Sequence, residues 1–182
     1  RLLIFVFVSM FSTWGWTQSL VVSTHPIYLI AKEVTKDVEE PVLLLGDQSG
    51  HDVQLTPAHR KAIQDASLVI WLGKVHEAPL EKLLGQNKKA IALLDSGILT
   101  ILPLRSLRGN ALPNTIDSHV WLEPNNAVRI AFFIATLRGQ QYPENKAKYL
   151  ANAKDFAQQM LQASQQFDSS NKAKPYWSYH DA

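Results

Sequence analysis

The side chains best placed to do chemistry in this 182-residue chain are its six histidines, and it has no cysteine. Three of the six stand in suggestive surroundings. His51 opens His51-Asp-Val-Gln-Leu-Thr-Pro57, His119 sits in Asp117-Ser-His-Val-Trp-Leu-Glu-Pro124, and His180 ends Pro175-Tyr-Trp-Ser-Tyr-His180. In the first two, a histidine is followed by Val and Leu and then by x-Pro. Neutral imidazole ligates Zn²⁺ and similar divalent metals, and it can also act as a general base. The lack of cysteine removes disulfides, thiolate metal sites and a lipidated N-terminal cysteine from this stretch. The three histidines lie 68 and 61 residues apart, so no single helix face of the H-x-x-x-H kind unites them. Taken singly, each is most simply a hydrogen-bonded structural or surface residue. They form a site only if the fold gathers them.

The elements that would do so can be read in order. Leu20-Val-Val-Ser23 is a short β-branched run, a first strand. Pro26 follows, with Ile27, Ile30, Ala31 and Val34 at helical spacing. Residues 40–45 make a second strand, continuously apolar from Pro41 to Leu45, as suits a parallel sheet covered on both faces. The loop Gly46-Asp-Gln-Ser-Gly50 then delivers His51. Thr56 and Pro57 read as N-cap and first residue of a helix through Ala66. Leu68-Val-Ile-Trp-Leu72 is a third buried strand closed by Gly73, residues 77–84 a short helix, and Ala90-Ile-Ala-Leu-Leu94 a fourth strand. This alternation predicts an α/β fold, a four-stranded parallel sheet flanked by helices. Residues 96–118 read as irregular, around Pro103, Gly109 and Pro113.

A helix follows Pro124 to about Arg138. Another opens at Pro143 and continues to about Phe167, with Tyr149, Ala153, Phe156, Met160, Ala163 and Phe167 on one stripe. At 1.5 Å per residue it is ~35–40 Å long, the length of a whole domain. Lys174 to Tyr179 begins a new strand. Open α/β sheets bind ligands beyond the carboxyl ends of their strands. His51 follows the second strand, His119 the fourth and His180 the new one, so all three can reach one edge.

Residues 2–11, LLIFVFVSMF behind Arg1, have the length of a signal-peptide core and are too short to span a bilayer. Residues 1–19 are accordingly expected to be a signal peptide, preceded by residues beyond the Arg at which the sequence starts and cleaved between Gly15 and Ser19. The rest is expected to divide into an N-terminal α/β lobe at 20–142, a long linking helix at 143–171, and the first strand of a truncated C-terminal α/β lobe at 172–182. A composition of 46% hydrophobic and 19% charged residues is that of a globular protein, not a disordered one. The net charge of +2 gives no electrostatic case for nucleic acid or an anionic membrane surface.

Several segments together resemble the zinc-specific solute-binding proteins of ABC importers, the ZnuA group. They are Gly50-His-Asp52 with Leu55-Thr-Pro57, Asp117-x-His-Val-Trp-Leu-x-Pro124, Tyr179-His-Asp-Ala182, Ser23-Thr-His-Pro-Ile-Tyr28 and Asp65-Ala-Ser-Leu-Val-Ile-Trp-Leu-Gly73. The resemblance runs from about Leu20 to the end. It implies two α/β lobes joined by one long rigid helix, with the metal in the cleft. By motif match His51 and His119 would be ligands from the first lobe and His180 the first ligand from the second. It also implies export to the periplasm of a Gram-negative cell, action as a monomer, Zn²⁺ as cargo, and delivery to an ABC transporter membrane permease. Related manganese binders tend to carry a carboxylate where this chain has His180; three neutral imidazoles suit Zn²⁺, while Mn²⁺ favours more oxygen. Two departures stand out. Gly50 occupies a position that is acidic in some members, and residues 104–116 hold no His where many zinc members carry a His- and acid-rich loop.

His51 and His119 precede helix N-termini, whose partial positive charge costs a cation ~0.3–1 kcal/mol each. A complete zinc site is worth on the order of 10 kcal/mol, so coordination wins. Asp52 and Asp181 each follow a candidate ligand and are candidates to orient the imidazoles from behind; surface or N-cap aspartates are the alternative. His25 reads as structural, His59 and His76 as exposed helix and loop residues, Trp71 and Trp121 as core, and Arg105 and Arg108 as a solvated loop. The competing function is a zinc-dependent hydrolase with a three-histidine site and an open position for water. No H-E-x-x-H motif supports it, and its only nearby acids are Asp52, Asp117, Glu123 and Asp181. A surface interaction protein with a structural metal, and a manganese-binding member of the same family, complete the alternatives.

Overall fold

In the computed structural model, residues 19–46 and 54–170 are described, with side chains as far as Gln166. The frame is a four-stranded parallel sheet of β1 (Leu20–Val22), β2 (Val42–Leu43), β3 (Leu68–Trp71) and β4 (Ala90–Ala92), in the order β2-β1-β3-β4. Leu20, Val21 and Val22 pair with Leu68, Val69 and Ile70, and every residue of these two central strands is buried. Side chains alternate between faces along a strand. Leu20, Val22, Leu68 and Ile70 therefore enter one apolar cluster, while Val21, Val69 and Trp71 enter the other. The continuous apolar runs mark a sheet covered on both sides.

The edge strands are shorter than their apolar runs suggest. Val42 is exposed and Leu43 half-buried, and β4 is only half-buried along its length. Leu44 and Leu45 still donate to Val22 and Ser23 carbonyls beyond the end of β2. After β4, Leu93–Asp95 tighten into a 3₁₀ turn.

Helix α1 (His25–Thr35) packs on one face; α2 (Pro57–Asp65) and the short α3 (Glu81–Leu84) contribute to the opposite cluster. The connection from β1 leads to β2 on one side, and that from β3 leads to β4 on the other. The chain thus switches direction between β1 and β3, where open α/β sheets form their binding crevice. Thr56 caps α2 with Pro57 at its first position, and the hydroxyl accepts from the His59 N–H.

Helix α4 (Pro124–Gln141) and α5 (Lys146–Ser170) complete the face carrying α1. A 3₁₀ turn at Pro143–Asn145 starts α5, which at 25 residues spans ~37 Å. Tyr149 and Ala153 are buried, while Phe156 and Met160 pack against the core margin. Ala163 is exposed, so the helix carries its stripe beyond what the described residues cover. Its root is pinned by a buried network. Arg138, 0% exposed, donates from Nε to Glu39 Oε1 at 2.7 Å and from Nη2 to Glu39 Oε2, and from Nη1 to Ser67 and Gln141. Tyr149 donates to Glu39 at 2.8 Å, and Asn152 donates to the Val34 and Lys36 carbonyls. One buried guanidinium and its carboxylate thus tie α4, α5, the end of α1 and the approach to β3 together.

Candidate metal centre

His119 lies on the loop that returns to the carboxyl edge of the sheet after β4. Asp117 is anchored by its N–H to the Leu102 carbonyl. Two residues on, the Asp117 carboxylate folds back over the chain. Oδ1 accepts from the His119 N–H at 3.0 Å and lies 2.8 Å from His119 Nδ1. An aspartate reaching the N–H two residues ahead is a local turn that its short side chain favours. A carboxylate on Nδ1 fixes that nitrogen as the proton-bearing one, so coordination by His119 would be through Nε2. Burial alone would raise the Asp117 carboxyl, but the His119 N–H, its ring and nearby Arg105 outweigh it and hold the carboxyl below its ordinary value. Beyond His119, the chain makes one 3₁₀ turn, Val120–Leu122. The Glu123 carboxylate then caps α4 by accepting from Asn125 and Asn126 N–H groups at 3.1 and 2.7 Å. A short helix start and a cap with Pro124 behind it thus set the backbone that carries His119.

His76 belongs to this neighbourhood, contrary to its reading as an exposed loop residue: it is only 5% exposed. Gly73, at φ +122°, makes a turn at the end of β3 that an L side chain adopts only with strain. The Gly73 carbonyl accepts from the His76 and Glu77 N–H groups. That turn throws His76 against Ser118, with Nδ1 2.8 Å from the hydroxyl. The His76 ring centroid lies 5.6 Å from that of His119 and 5.4 Å from that of Trp121, and His119 is 5.3 Å from Trp121. All three contacts are edge-on. Trp121 is a half-buried core-margin residue that also walls the two imidazoles, and Trp71 is core outright. Next to His76, Glu77 is fully buried and accepts from the Leu72 N–H at 2.6 Å. Burial pushes its carboxyl up to about 7, against the opposing pull of Ser23 and the Leu72 and Gly73 N–H groups.

The other sequence candidates separate. His25 is exposed at the first turn of α1 beside Tyr28. His59 is half-buried and accepts from the Thr56 N–H, closing a capping box. His51, Asp52, His180 and Asp181, together with the signal-peptide run and the strand at 172–182, lie outside the described residues. Among the described residues no three His, Asp or Glu side chains converge to hold a metal ion. The role that sequence spacing offered to Asp52 and Asp181 is filled, for His119, by Asp117. A cavity of about 340 Å³ opens beside His119, with Arg105, Asp117 and Glu123 in its lining. Arg105 is an exposed loop residue, as its surroundings suggest, and its charge also acts on the carboxylate that holds His119.

Residues 20–182 match the family described as zinc-uptake complex component A, periplasmic (ZnuA). The high-affinity zinc uptake system protein ZnuA of Brucella abortus is 27% identical over 92% of this chain and 63% of its own length. That of Yersinia pestis is 30% identical over 90% of this chain and 60% of its own. This chain thus spans about three-fifths of these relatives. In fold, the Zn(II)-bound ZnuA-like domain of Streptococcus pneumoniae AdcA superposes with a TM-score of 0.67 at 23% identity, covering 84% of this chain and 55% of that one.

Proposed function

Because the chain belongs to the family of periplasmic zinc-uptake component A, ZnuA, we propose that it is the first lobe of a periplasmic solute-binding protein that captures Zn²⁺ and hands it to an ABC permease. The observation that carries the reading is the Asp117–His119 pair. An imidazole whose Nδ1 is held by a carboxylate at 2.8 Å has its tautomer and ring plane set before the metal arrives, as metal-ligating histidines commonly do. His51, between β2 and α2 in sequence, and His180, beyond α5, supply two more imidazoles. Nitrogen ligands with no added carboxylate favour Zn²⁺ over Mn²⁺. In this reading α5 is the connecting rod between lobes, and the Arg138–Glu39–Tyr149 network is its root. Residues 1–19 are the export signal.

The same geometry weighs against a hydrolase. A hydrolytic zinc site needs a base within reach of its water, but of the candidate acids among the described residues, Asp117 is spent on His119 and Glu123 on the α4 N-terminus. The test is a calorimetric zinc titration of the full-length mature protein with manganese as competitor, beside His119→Ala. One-to-one zinc binding, little manganese competition and a loss of at least a hundredfold in the variant are expected. Binding indifferent to His119 would overturn the reading.

A further inference from the structure

We propose that His76, on the turn after β3, is a further nitrogen ligand to the metal held by His119. The proposal rests on the zinc-binding reading of His119 and adds to it. His76 has four properties of a ligand rather than of a loop residue. It is buried, at the carboxyl edge of the sheet, where the crevice forms. Its backbone is held by the Gly73 turn, a left-handed conformation that leaves little freedom. Its Nδ1 is engaged by the Ser118 hydroxyl at 2.8 Å, so it would coordinate through Nε2, with Nδ1–H donating to Ser118. That is the arrangement Asp117 imposes on His119, with a hydroxyl in place of a carboxylate. Ser118 is also the residue immediately before His119, so one loop orients both rings.

The fourth property is distance. With zinc–nitrogen bonds of ~2.0–2.1 Å and a ring centroid about 1.1 Å behind its nitrogen, two imidazoles on one tetrahedral zinc hold their centroids about 5.2 Å apart. The His76–His119 separation is 5.6 Å with the rings perpendicular.

X-ray absorption at the zinc edge tests this on the full-length protein, because multiple scattering from imidazole counts histidine ligands. Zinc-loaded wild-type protein is expected to show the imidazoles of both His76 and His119, and so one imidazole more than a variant at either position. His76→Leu, which keeps apolar bulk against Trp121, is expected to lose one and to weaken zinc by roughly a hundredfold. His76→Gln, which retains a hydrogen-bonding group for Ser118, is expected to lose one as well, so a folding defect in the first variant does not decide the matter. Fewer than two imidazoles in the wild type, or an unchanged count in a folded His76 variant whatever its affinity, overturns the proposal. A wild-type protein that takes up no zinc removes the function and this ligand together, whereas loss on His119→Ala with an unchanged His76→Gln count removes the ligand alone.

Discussion

Asp117 makes the sharpest test of how the site is held. Its carboxylate accepts from the His119 N–H at 3.0 Å and from the ring Nδ1 at 2.8 Å. A dication bound at Nε2 would draw charge onto the ring, so the bond to the carboxylate would strengthen on loading and contribute to affinity. Hydrogen bonds to charged groups are worth ~1.5–3 kcal/mol and neutral ones ~0.5–1.5. Asp117→Asn keeps an acceptor oxygen but loses the charge, a deficit of about 1.4 kcal/mol, or roughly tenfold in Kd. Asp117→Ala loses both bonds and leaves the ring free to turn, which should cost about a hundredfold. The assay is competition for zinc against a chromophoric chelator at pH 7.5, with circular dichroism and a melting curve as controls of folding. A folded Asp117→Ala protein within twofold of wild type would refute the reasoning, because the carboxylate would then be holding a loop and not a ligand.

Three further outcomes follow from the frame. Arg138→Met should cost ~3–5 kcal/mol by stranding the Glu39 carboxylate in the core, seen as a fall in Tm of about 10 °C; a change under 2 °C would show the network is dispensable. Tyr149→Phe should cost about 1 kcal/mol, the worth of its bond to Glu39, in a urea titration. Glu77 gives a pH dependence in the metal-free protein. Its folded carboxyl lies near 7 against an ordinary 4.5, so the folded state holds the proton more tightly. The associated stability is complete below about pH 4.5 and is lost as pH rises to about 7, by on the order of 3 kcal/mol. Glu77→Gln should flatten that slope in denaturation series at pH 5 and pH 8; an unchanged slope would place the titration elsewhere.

Much of the frame was legible in the sequence because it is written in local signals. Thr56-Pro57 and Glu123-Pro124 start helices where the side chain and the ring demand it, and Leu20–Val22 and Leu68–Trp71 are apolar on both faces because both faces are covered. The shortened β2 and β4 were less legible, since an apolar run does not reveal that its strand lies at an edge. At the site, His119 was visible through its Asp-x-His-Val-Trp-Leu surroundings. Asp117 was overlooked as its support, although an aspartate two residues before a histidine has the reach to meet both N–H and ring. The burial of His76 is hidden from the sequence for a different reason. Lys74-Val-His-Glu77 looks like a polar surface turn, and its burial comes from Ser118 and His119, more than 40 residues away. The one local hint was its position, just past Gly73 at the carboxyl end of a buried strand.

The proposed place of the zinc is on His119, in the crevice at the carboxyl edge of the sheet. Crystals of the full-length protein grown with zinc, measured on both sides of the zinc absorption edge, locate the metal without assumption. One anomalous peak is expected ~2.1 Å from His119 Nε2, with Asp117 still on Nδ1. A peak elsewhere on the molecule, or none in protein shown to contain zinc, would contradict it.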